Sequence, residues 1–362
     1  MSDRRSARVA ALRARLATAN VDGLLVSALP NIRYLTGFSG TSALLFVTVR
    51  DLYFITDFRY ETQVQTEVGE FAQVRVEDTS LWIGLWDLLQ RMTQLDIIGF
   101  ESTHLLHRDF QRLLTEGARY QWRPQNGLIE QLRESKDQDE VDLIEHAGGI
   151  ATRALSQTLG VIGSGNNELE IAGILEKALR DEGCEEFPFP TIVASGPRAA
   201  LPHARPTSRV VQSGDLLLLD FGAQYRGYCS DITRTVVVGK ATDEQRHIYS
   251  IVRTANETAS EKVRAGMTGQ DADALARSYI EAQGFGKAFG HSLGHGLGLE
   301  VHEAPRLAKT AEAALSEGAV VTIEPGIYRP GWGGIRIEDD VHLAPEGPRI
   351  LTDFTRELLE VA

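Results

Sequence analysis

Two segments of the sequence place a pair of acidic residues on either side of a turn. In the first, LLLLDFGAQYRGYCSDITRTVVV, Asp220 and Asp231 are equally far from a centre between Tyr225 and Arg226. A hairpin with that centre would set the two carboxylates directly opposite each other, with Cβ atoms roughly 4.5–5.5 Å apart, where like charges repel. Such a pair is kept when a cation or a shared proton holds it together.

The second segment, VVTIEPGIYRPGWGGIRIEDDVHL, repeats this arrangement with Glu324 and Glu338. These acids are equally far from Gly331, and the Pro-Gly and Gly-Gly pairs on either side of Trp332 suit a turn. One such acid alone would be interpreted as a surface residue. Two hairpins that each present opposed acids predict instead a site for two metal ions.

Three histidines, His291, His295 and His302, lie between the two hairpins in GHSLGHGLGLEVHEAP. One neutral imidazole added to the four acids gives an oxygen-rich shell whose charge balances two divalent cations. Such a shell favours Mn²⁺, and Co²⁺, Fe²⁺ or Zn²⁺ could also bind. Neither Cys184 nor Cys229 has a CxxC partner, which argues against a structural zinc site.

Strand alternation places further polar residues beside these acids. Ile335 and Ile337 would face one side of their strand, and Arg336 and Glu338 the other. Arg336 would then orient a ligand carboxylate or clamp substrate, although a surface salt bridge is the simpler interpretation. By the same alternation Thr233 shares a face with Asp231, which makes it a candidate to hydrogen-bond a ligand.

The chain resembles the metal-dependent proline peptidases of the pita-bread fold, a group that includes Xaa-Pro dipeptidase (prolidase), Xaa-Pro aminopeptidase and methionine aminopeptidase. The matching stretches LLLLDFGAQYRGYCSDITRT, HSLGHGLGLEVHE, VTIEPGIY and GIRIEDD follow in order through residues about 140–355. The resemblance implies two divalent metal ions, with Asp231 and Glu338 bridging them. The ligands that it implies are Asp220, Asp231, His295, Glu324 and Glu338.

The resemblance also implies roles for residues around the metals. His302 would hydrogen-bond the oxyanion, His203 would contact substrate near the scissile bond, and His291 would line the pocket for the residue after the cut. Glu324 is the candidate for moving the proton of the attacking water, in addition to being a ligand. Arg336 is placed in both the catalytic and the substrate-binding sets.

The reaction expected from this resemblance is hydrolysis of the bond before proline, and a dipeptidase is favoured over an aminopeptidase. Only fourteen positions separate Glu324 from Glu338, which resembles prolidases, whereas many aminopeptidases of the group carry an insertion there. Methionine aminopeptidase does not need a large N-terminal domain, and creatinase-like relatives lack the ligands. A non-catalytic, peptide-binding protein on the same scaffold is the alternative from another class.

The sequence predicts two domains of the α/β plus α+β classes. Residues 1–130 alternate helix with strand, which predicts an α/β domain with strands in VDGLLVSA, TSALLFVTV, DLYFITD and from Ile97. The resemblance implies that this domain is creatinase-like. Residues 131–362 are expected to form a pita-bread catalytic domain, with pseudo-twofold hairpins and helices near 139–160, 167–182, 243–264 and 268–283. The resemblance implies that the first domain covers the cleft and helps to form a homodimer.

Composition excludes several other function classes. A formal net charge of −13 argues against nucleic acid as the main partner. No apolar run approaches the roughly 18 residues of a membrane span. The first twenty residues are interrupted by arginines and are interpreted as an amphipathic helix with Val9, Leu12 and Leu16 on its apolar side. With two cysteines and no export signal, a cytoplasmic location is expected. The partners that the resemblance implies are proline-containing dipeptides or short peptides.

Overall fold

The computed structural model describes residues 4–362, and contacts within the chain divide it into two compact units. The first unit ends at Arg133 and the second begins at Glu134, three residues later than the boundary expected from sequence. Within residues 4–362, no helix is both long enough and apolar enough to cross a membrane.

The first unit is built on one six-stranded mixed sheet with strand order β4-β3-β2-β1-β5-β6. Strands β1, β2 and β3 pair antiparallel, whereas β1–β5, β5–β6 and β3–β4 are parallel. The strands are β1 (Gly23–Val26), β2 (Ala43–Thr48), β3 (Leu52–Asp57), β4 (Gln73–Glu77), β5 (Ile97–Glu101) and β6 (Gln121–Gln125). The helices are α1 (Arg5–Ala19), α2 (Leu29–Thr36), α3 (Glu61–Glu67), α4 (Leu81–Gln90), α5 (His107–Glu116) and α6 (Glu130–Arg133).

The strands predicted from sequence are the inner four of this sheet, and the two edge strands were missed. Inner strands β1 and β2 are buried throughout, so they appear as continuous apolar runs. Edge strands β4 and β6 are only partly buried and rich in Gln, Arg and Glu, and β6 contains Pro124, which an edge tolerates. Helix α1 buries Val9, Leu12 and Leu16 as the amphipathic pattern predicts.

The second unit contains four long helices, and each predicted helix is found within two residues of its expected ends. These helices are α7 (Gln138–Leu159), α8 (Glu168–Asp181), α9 (Asp243–Lys262) and α10 (Gly269–Ala282). Capping boxes begin α7, α8 and α9, where an Asp, Asn or Thr side chain and a Glu or Gln three residues later satisfy free backbone N–H groups.

Two sheets pack with these helices and repeat one another. The order β19-β11-β8-β7 forms one sheet and β13-β12-β14-β17-β18 the other. The series α7-α8-β7-β8-β11 corresponds to α9-α10-β12-β14-β17, each a helix pair followed by antiparallel strands. The predicted pseudo-twofold architecture is confirmed. The strands are β7 (Ile192–Ser195), β8 (Leu216–Phe221), β9 (Gln224–Tyr225), β10 (Tyr228–Cys229), β11 (Ile232–Val238), β12 (Gly294–Gly296), β13 (Glu303–Leu307), β14 (Val320–Ile323), β15 (Gly326–Arg329), β16 (Gly333–Arg336), β17 (Asp339–Ala344), β18 (Gly347–Ile350) and β19 (Glu360–Val361).

The register predicted for the first hairpin was wrong by one turn position. Asp220 pairs with Thr233, and the turn centres on Arg226 and Gly227, whose φ angles are 47° and 80°. Positive φ at both central residues is the requirement of a tight hairpin turn that follows strand twist. Asp231 is therefore offset diagonally from Asp220 rather than opposite it, and both remain on one face because the offset is two residues.

The register predicted for the second hairpin agrees with the structure. Gly326 pairs with Arg336 and Ile323 pairs with Asp339, so Glu324 and Glu338 lie at opposed positions between the two paired segments. The turn centres on Gly331, whose φ is 82°. The two glutamates thus leave strands β14 and β16 at the same level of the hairpin.

Substitution of Gly294 should test how tightly β12 is held against β14. A Cβ at this position would lie 1.9 Å from the carbonyl oxygen of Thr322, so Gly294→Ala must displace backbone and is expected to lower the free energy of unfolding by at least about 2 kcal/mol. Gly173, exposed on α8 with nothing near its would-be Cβ, is the control, and Gly173→Ala should stabilise by about 0.5–1 kcal/mol. Urea denaturation measures both, and equal effects would contradict this packing.

Candidate metal centre

Five sequence-predicted ligands meet in one cavity of the second unit, at the ends of paired strands. Asp220 is near the end of β8, Asp231 directly precedes β11, and His295 is the middle residue of β12. Glu324 directly follows β14, and Glu338 lies between β16 and β17. All five line a cavity of about 800 Å³, called here the acid-lined cavity. The fold therefore brings together residues more than a hundred positions apart.

The geometry of the ligand atoms suits a metal ion. One ligand atom each from Asp231, His295 and Glu338 lies within 4.8 Å of the other two. His295 Nε2 is 3.5 Å from Glu324 Oε1 and 3.9 Å from Asp231 Oδ2. His295 Nδ1 is 3.1 Å from the carbonyl oxygen of Gly296, to which it donates, and this leaves Nε2 as a lone-pair donor toward the acids.

Hydrogen bonds from Thr233 and Arg336 fix the orientation of the carboxylates. Thr233 Oγ1 donates to Glu338 Oε2 at 2.6 Å, and Arg336 Nε donates to Thr233 Oγ1 at 3.0 Å. Arg336 also forms an ion pair with Asp220 and donates to the hydroxyl of Tyr328 at 2.7 Å. Because Arg336 is only 3% exposed and bound on several sides, its contacts match the ligand-orienting alternative better than a mobile substrate clamp.

The burial and close spacing of these acids favour the binding of a cation. Burial raises the pKa of Asp231 and of Glu338 well above their usual values, and repulsion from neighbouring acids adds to the rise. Burial also raises the pKa of Glu324 to about 8, even though Arg336 opposes the rise. Asp231 Oδ1 is buried and has no hydrogen-bond partner among the described residues. Divalent metal ions fit this donor set, because two of them would balance the negative charge of four carboxylates and could bind the unpaired Oδ1 of Asp231.

The three further histidines named from sequence line the same cavity. The His302 ring lies 4.3 Å from that of His295, measured between centroids, and His203 is exposed to the cavity. His291 Nε2 is 3.0 Å from the Tyr328 hydroxyl, and burial lowers the pKa of His291 to about 4. Burial also lowers the pKa of His302, so at neutral pH the rings of His291 and His302 are uncharged hydrogen-bonding groups.

Two cationic side chains of the cavity, Arg205 and Arg306, were missed by sequence reasoning. Both are exposed, and neither forms an ion pair within residues 4–362. Arg306 on β13 is the register partner of His295, and its charge contributes to lowering the pKa of His295, after burial and His302. Strand alternation could have identified Arg306, because it lies four residues after His302 and therefore on the same face of the strand.

The fold and the buried acid–histidine cluster define a metal-dependent hydrolase. A family model described as metallopeptidase family M24 matches residues 142–345, and one described as the creatinase/prolidase N-terminal domain matches residues 8–135. The chain belongs to the metallopeptidase family M24. The family and two-domain fold predicted from sequence are thereby confirmed, as is the prediction of an enzyme.

Relatives are similar to this chain over nearly its full length. An Xaa-Pro dipeptidase of Pyrococcus horikoshii is 36% identical over 342 residues, covering 94% of this chain and 95% of that protein. The structure of an Xaa-Pro dipeptidase from Bacillus anthracis is 37% identical with a TM-score of 0.94, covering 99% and 100% of the two chains. That of an X-Pro aminopeptidase from Thermotoga maritima is 37% identical with a TM-score of 0.87, covering 97% and 98%.

The stabilisation that Mn²⁺ gives this protein should grow with pH. Where burial raises a carboxyl pKa, the folded chain without metal holds more protons than the unfolded chain, so its stability falls as pH rises through the raised pKa. Metal ions require ionised ligands and remove this loss. The rise in Tm on adding Mn²⁺ to chelator-treated protein should therefore be larger at pH 8 than at pH 5.5, by differential scanning fluorimetry.

The control for this measurement is Asp231→Asn, which removes one bridging candidate and should reduce the Mn²⁺-induced rise in Tm at both pH values. Glu176→Gln, which changes a carboxylate on α8 outside the cavity, should leave the rise as in the unsubstituted protein. An equal rise at the two pH values, or an undiminished one in Asp231→Asn, would show that the buried acids are not the metal ligands.

Proposed function

We propose that this protein is an Xaa-Pro dipeptidase (prolidase) that hydrolyses the bond before proline in dipeptides. The observation that carries the proposal is the acid-lined cavity, in which the proposed ligands and three further histidines converge. The relatives named above as Xaa-Pro dipeptidases match most of the chain and support this substrate class. The complete set of ligands and histidines, together with the family, speaks against a non-catalytic binding protein.

The mechanism follows from the positions of the side chains. Two divalent cations, held by Asp220, Asp231, His295, Glu324 and Glu338, would supply Lewis acidity and a water nucleophile at neutral pH. Glu324 faces His295 and accepts from Thr322 Oγ1 at 3.4 Å, and it is our candidate for accepting the proton of that water.

The remaining polar groups would stabilise the scissile carbonyl. His302 and His203 face the cavity and would hydrogen-bond the oxygen as it gains charge. His291, held by Tyr328, would line the pocket for the proline ring. Arg336 would act indirectly, by orienting the carboxylate of Asp220. No backbone N–H at the scissile bond is needed, which suits a proline substrate.

The free carboxylate of a dipeptide needs a cationic partner, and Arg306 is the candidate that the structure offers. It stands beside His295 across β12 and β13, exposed to the cavity and not engaged in an ion pair with any described residue. A carboxylate bound there would place the scissile bond within a short distance of the ligands, whereas a longer peptide would present an uncharged amide to the same guanidinium.

The test of the proposed function compares Leu-Pro with Leu-Pro-Gly, using Mn²⁺-loaded protein. Proline release from Leu-Pro should exceed leucine release from Leu-Pro-Gly by at least about tenfold in kcat/KM, because the tripeptide loses the charged contact. Faster cleavage of the tripeptide would establish the alternative, an Xaa-Pro aminopeptidase. The similarity to the X-Pro aminopeptidase from Thermotoga maritima is the reason to test this alternative. Cleavage of neither peptide would overturn proline specificity.

Substitution of Arg306 tests the carboxylate contact directly. Arg306→Ala should raise the KM for Leu-Pro by about 10–100-fold, as expected for a hydrogen bond between charged groups, with a smaller change in kcat. Arg306→Lys should recover part of this loss. Arg205→Ala is the matched comparison within the same cavity, and a larger rise in KM for that variant would transfer the role to Arg205.

Further properties of the protein belong to the same proposal. Mn²⁺ is the expected metal, because one imidazole among carboxylates favours a hard cation. A cytoplasmic location is expected, because Cys184 and Cys229 are unpaired thiols, as a reducing compartment keeps them. The family resemblance further supports a homodimer. Boundaries of 1–130 and 131–362 stay predictions for the two functional domains.

A further inference from the structure

The loop that follows β7 brings two polar residues to the acid-lined cavity. This loop, residues 196–207 and called here the His203 loop, begins with a short 3₁₀ turn at Gly196–Ala200. Both His203 and Arg205 on it are exposed and line the cavity. A loop with such a role must be fixed, because misplacement of a substrate-contacting group by about 1 Å can cost a hundredfold in rate.

Both ends of the His203 loop are fastened to one carboxylate, that of Glu168. Oε1 of Glu168 accepts from the backbone N and the hydroxyl of Ser195, each at 2.8 Å. Oε2 accepts from the backbone N of Thr207 at 3.0 Å and from its hydroxyl at 2.7 Å. Ser195 directly precedes the loop and Thr207 is its last residue, so the Glu168 side chain links the start of the loop to its end.

Arg198 connects Glu168 to the middle of the loop through two hydrogen bonds. Its Nε donates to Glu168 Oε2 at 3.0 Å, and its Nη2 donates to the carbonyl oxygen of Arg205 at 2.5 Å. Arg209 adds an outer support, since Nη1 contacts Ser195 Oγ and Asp215 Oδ2, each at 2.6 Å. The carboxylate of Glu168 thus accepts hydrogen bonds from five donor groups, which belong to Ser195, Arg198 and Thr207.

A simpler role for an acid at this position would be stabilisation of the α8 N-terminus. Glu170, two residues on, fills that role, because it forms the capping box with Asn167 and is exposed. Glu168 is 0% exposed, and its hydrogen bonds in the structure run to Ser195, Arg198 and Thr207 rather than to the helix. A fully buried carboxylate with this partner set is explained by the loop that it holds.

We propose that Glu168 is a positioning residue, which sets where His203 and Arg205 stand in the cavity without itself reaching substrate. The kinetic part of the proposal rests on the proposed peptidase function. Glu168→Gln keeps the side-chain volume but turns one acceptor oxygen into an NH₂ group, which would face donors from Thr207 and Arg198. The loop should therefore loosen, while the strand-borne metal ligands keep their places.

The kinetic experiment is a double-mutant cycle on Mn²⁺-loaded full-length protein with Leu-Pro. Glu168→Gln should lower kcat/KM by about tenfold or more, with unchanged metal content by elemental analysis. In the His203→Ala background the same substitution should cost less than about threefold, because residues that act as a unit are not additive. An equal fold-loss of kcat/KM in both backgrounds would overturn the proposal, because a general structural defect would lower kcat/KM by the same factor whether or not His203 is present.

The controls separate the loop from the helix. Glu170→Gln changes the capping acid of the same helix and should leave kcat/KM within about twofold. A loss that matches that of Glu168→Gln would assign the effect to α8 and overturn the proposal. Glu168→Asp, which keeps the charge on a shorter side chain, should fall between Glu168→Gln and the unsubstituted protein, and serves where Glu168→Gln does not fold.

Hydrogen–deuterium exchange decides the proposal without reference to activity. Glu168→Gln should increase exchange in peptides from residues 195–207 and not in those from β11 or β12, and Glu170→Gln should change the α8 start alone. Unchanged exchange of residues 195–207 would overturn the positioning role. If the unsubstituted protein did not release proline, the proposed function would fail, and this measurement would still test the fastening of the loop.

Discussion

The mutual repulsion of four carboxylates in one cavity is the constraint on which the rest of the catalytic unit depends. Asp220, Asp231, Glu324 and Glu338 share one cavity, and burial raises the pKa of each. Arg336 ion-pairs with one of them, Asp220, so the chain compensates the cluster only in part. A cluster of this kind is stable when divalent cations complete it, which makes the metal a part of the folded structure as well as of the chemistry.

The repeated architecture of the second unit explains how such a cluster can be assembled. Strand interiors here pack Ile and Val into the core, so acids are accommodated where paired strands end or break. Each half of the pseudo-twofold unit contributes one hairpin with two acids, and β12 adds a single imidazole between them. Opposed strand ends supply fixed backbone positions, and therefore little side-chain freedom remains to be lost when a metal binds.

The difference between the two hairpins shows what spacing alone can predict. Gly331 and its flanking Gly and Pro residues marked the second turn, and the register of Glu324 with Glu338 followed. In the first hairpin the left-handed pair is Arg226-Gly227, and arginine is a weak signal for positive φ. A turn placed midway between Asp220 and Asp231 therefore predicts the correct sheet face for both acids but the wrong cross-strand partner for Asp220.

Contacts across long sequence separations account for what the sequence did not predict. Strand alternation places Arg306 on the same face as His302, so the sequence could have indicated it. Glu168 is an ordinary acid at the start of a helix, and nothing near it in the sequence indicates that it would bind Ser195 or Thr207. The structure thus places the proposed metal ligands on paired strands and His203 and Arg205 on a loop, with one hydrogen-bond network around Arg336 and another around Glu168. Arg336 also donates to the carbonyl oxygen of Pro202 at 3.4 Å, so both networks hold the His203 loop, and the loop is linked through Arg336 to the carboxylate of Asp220.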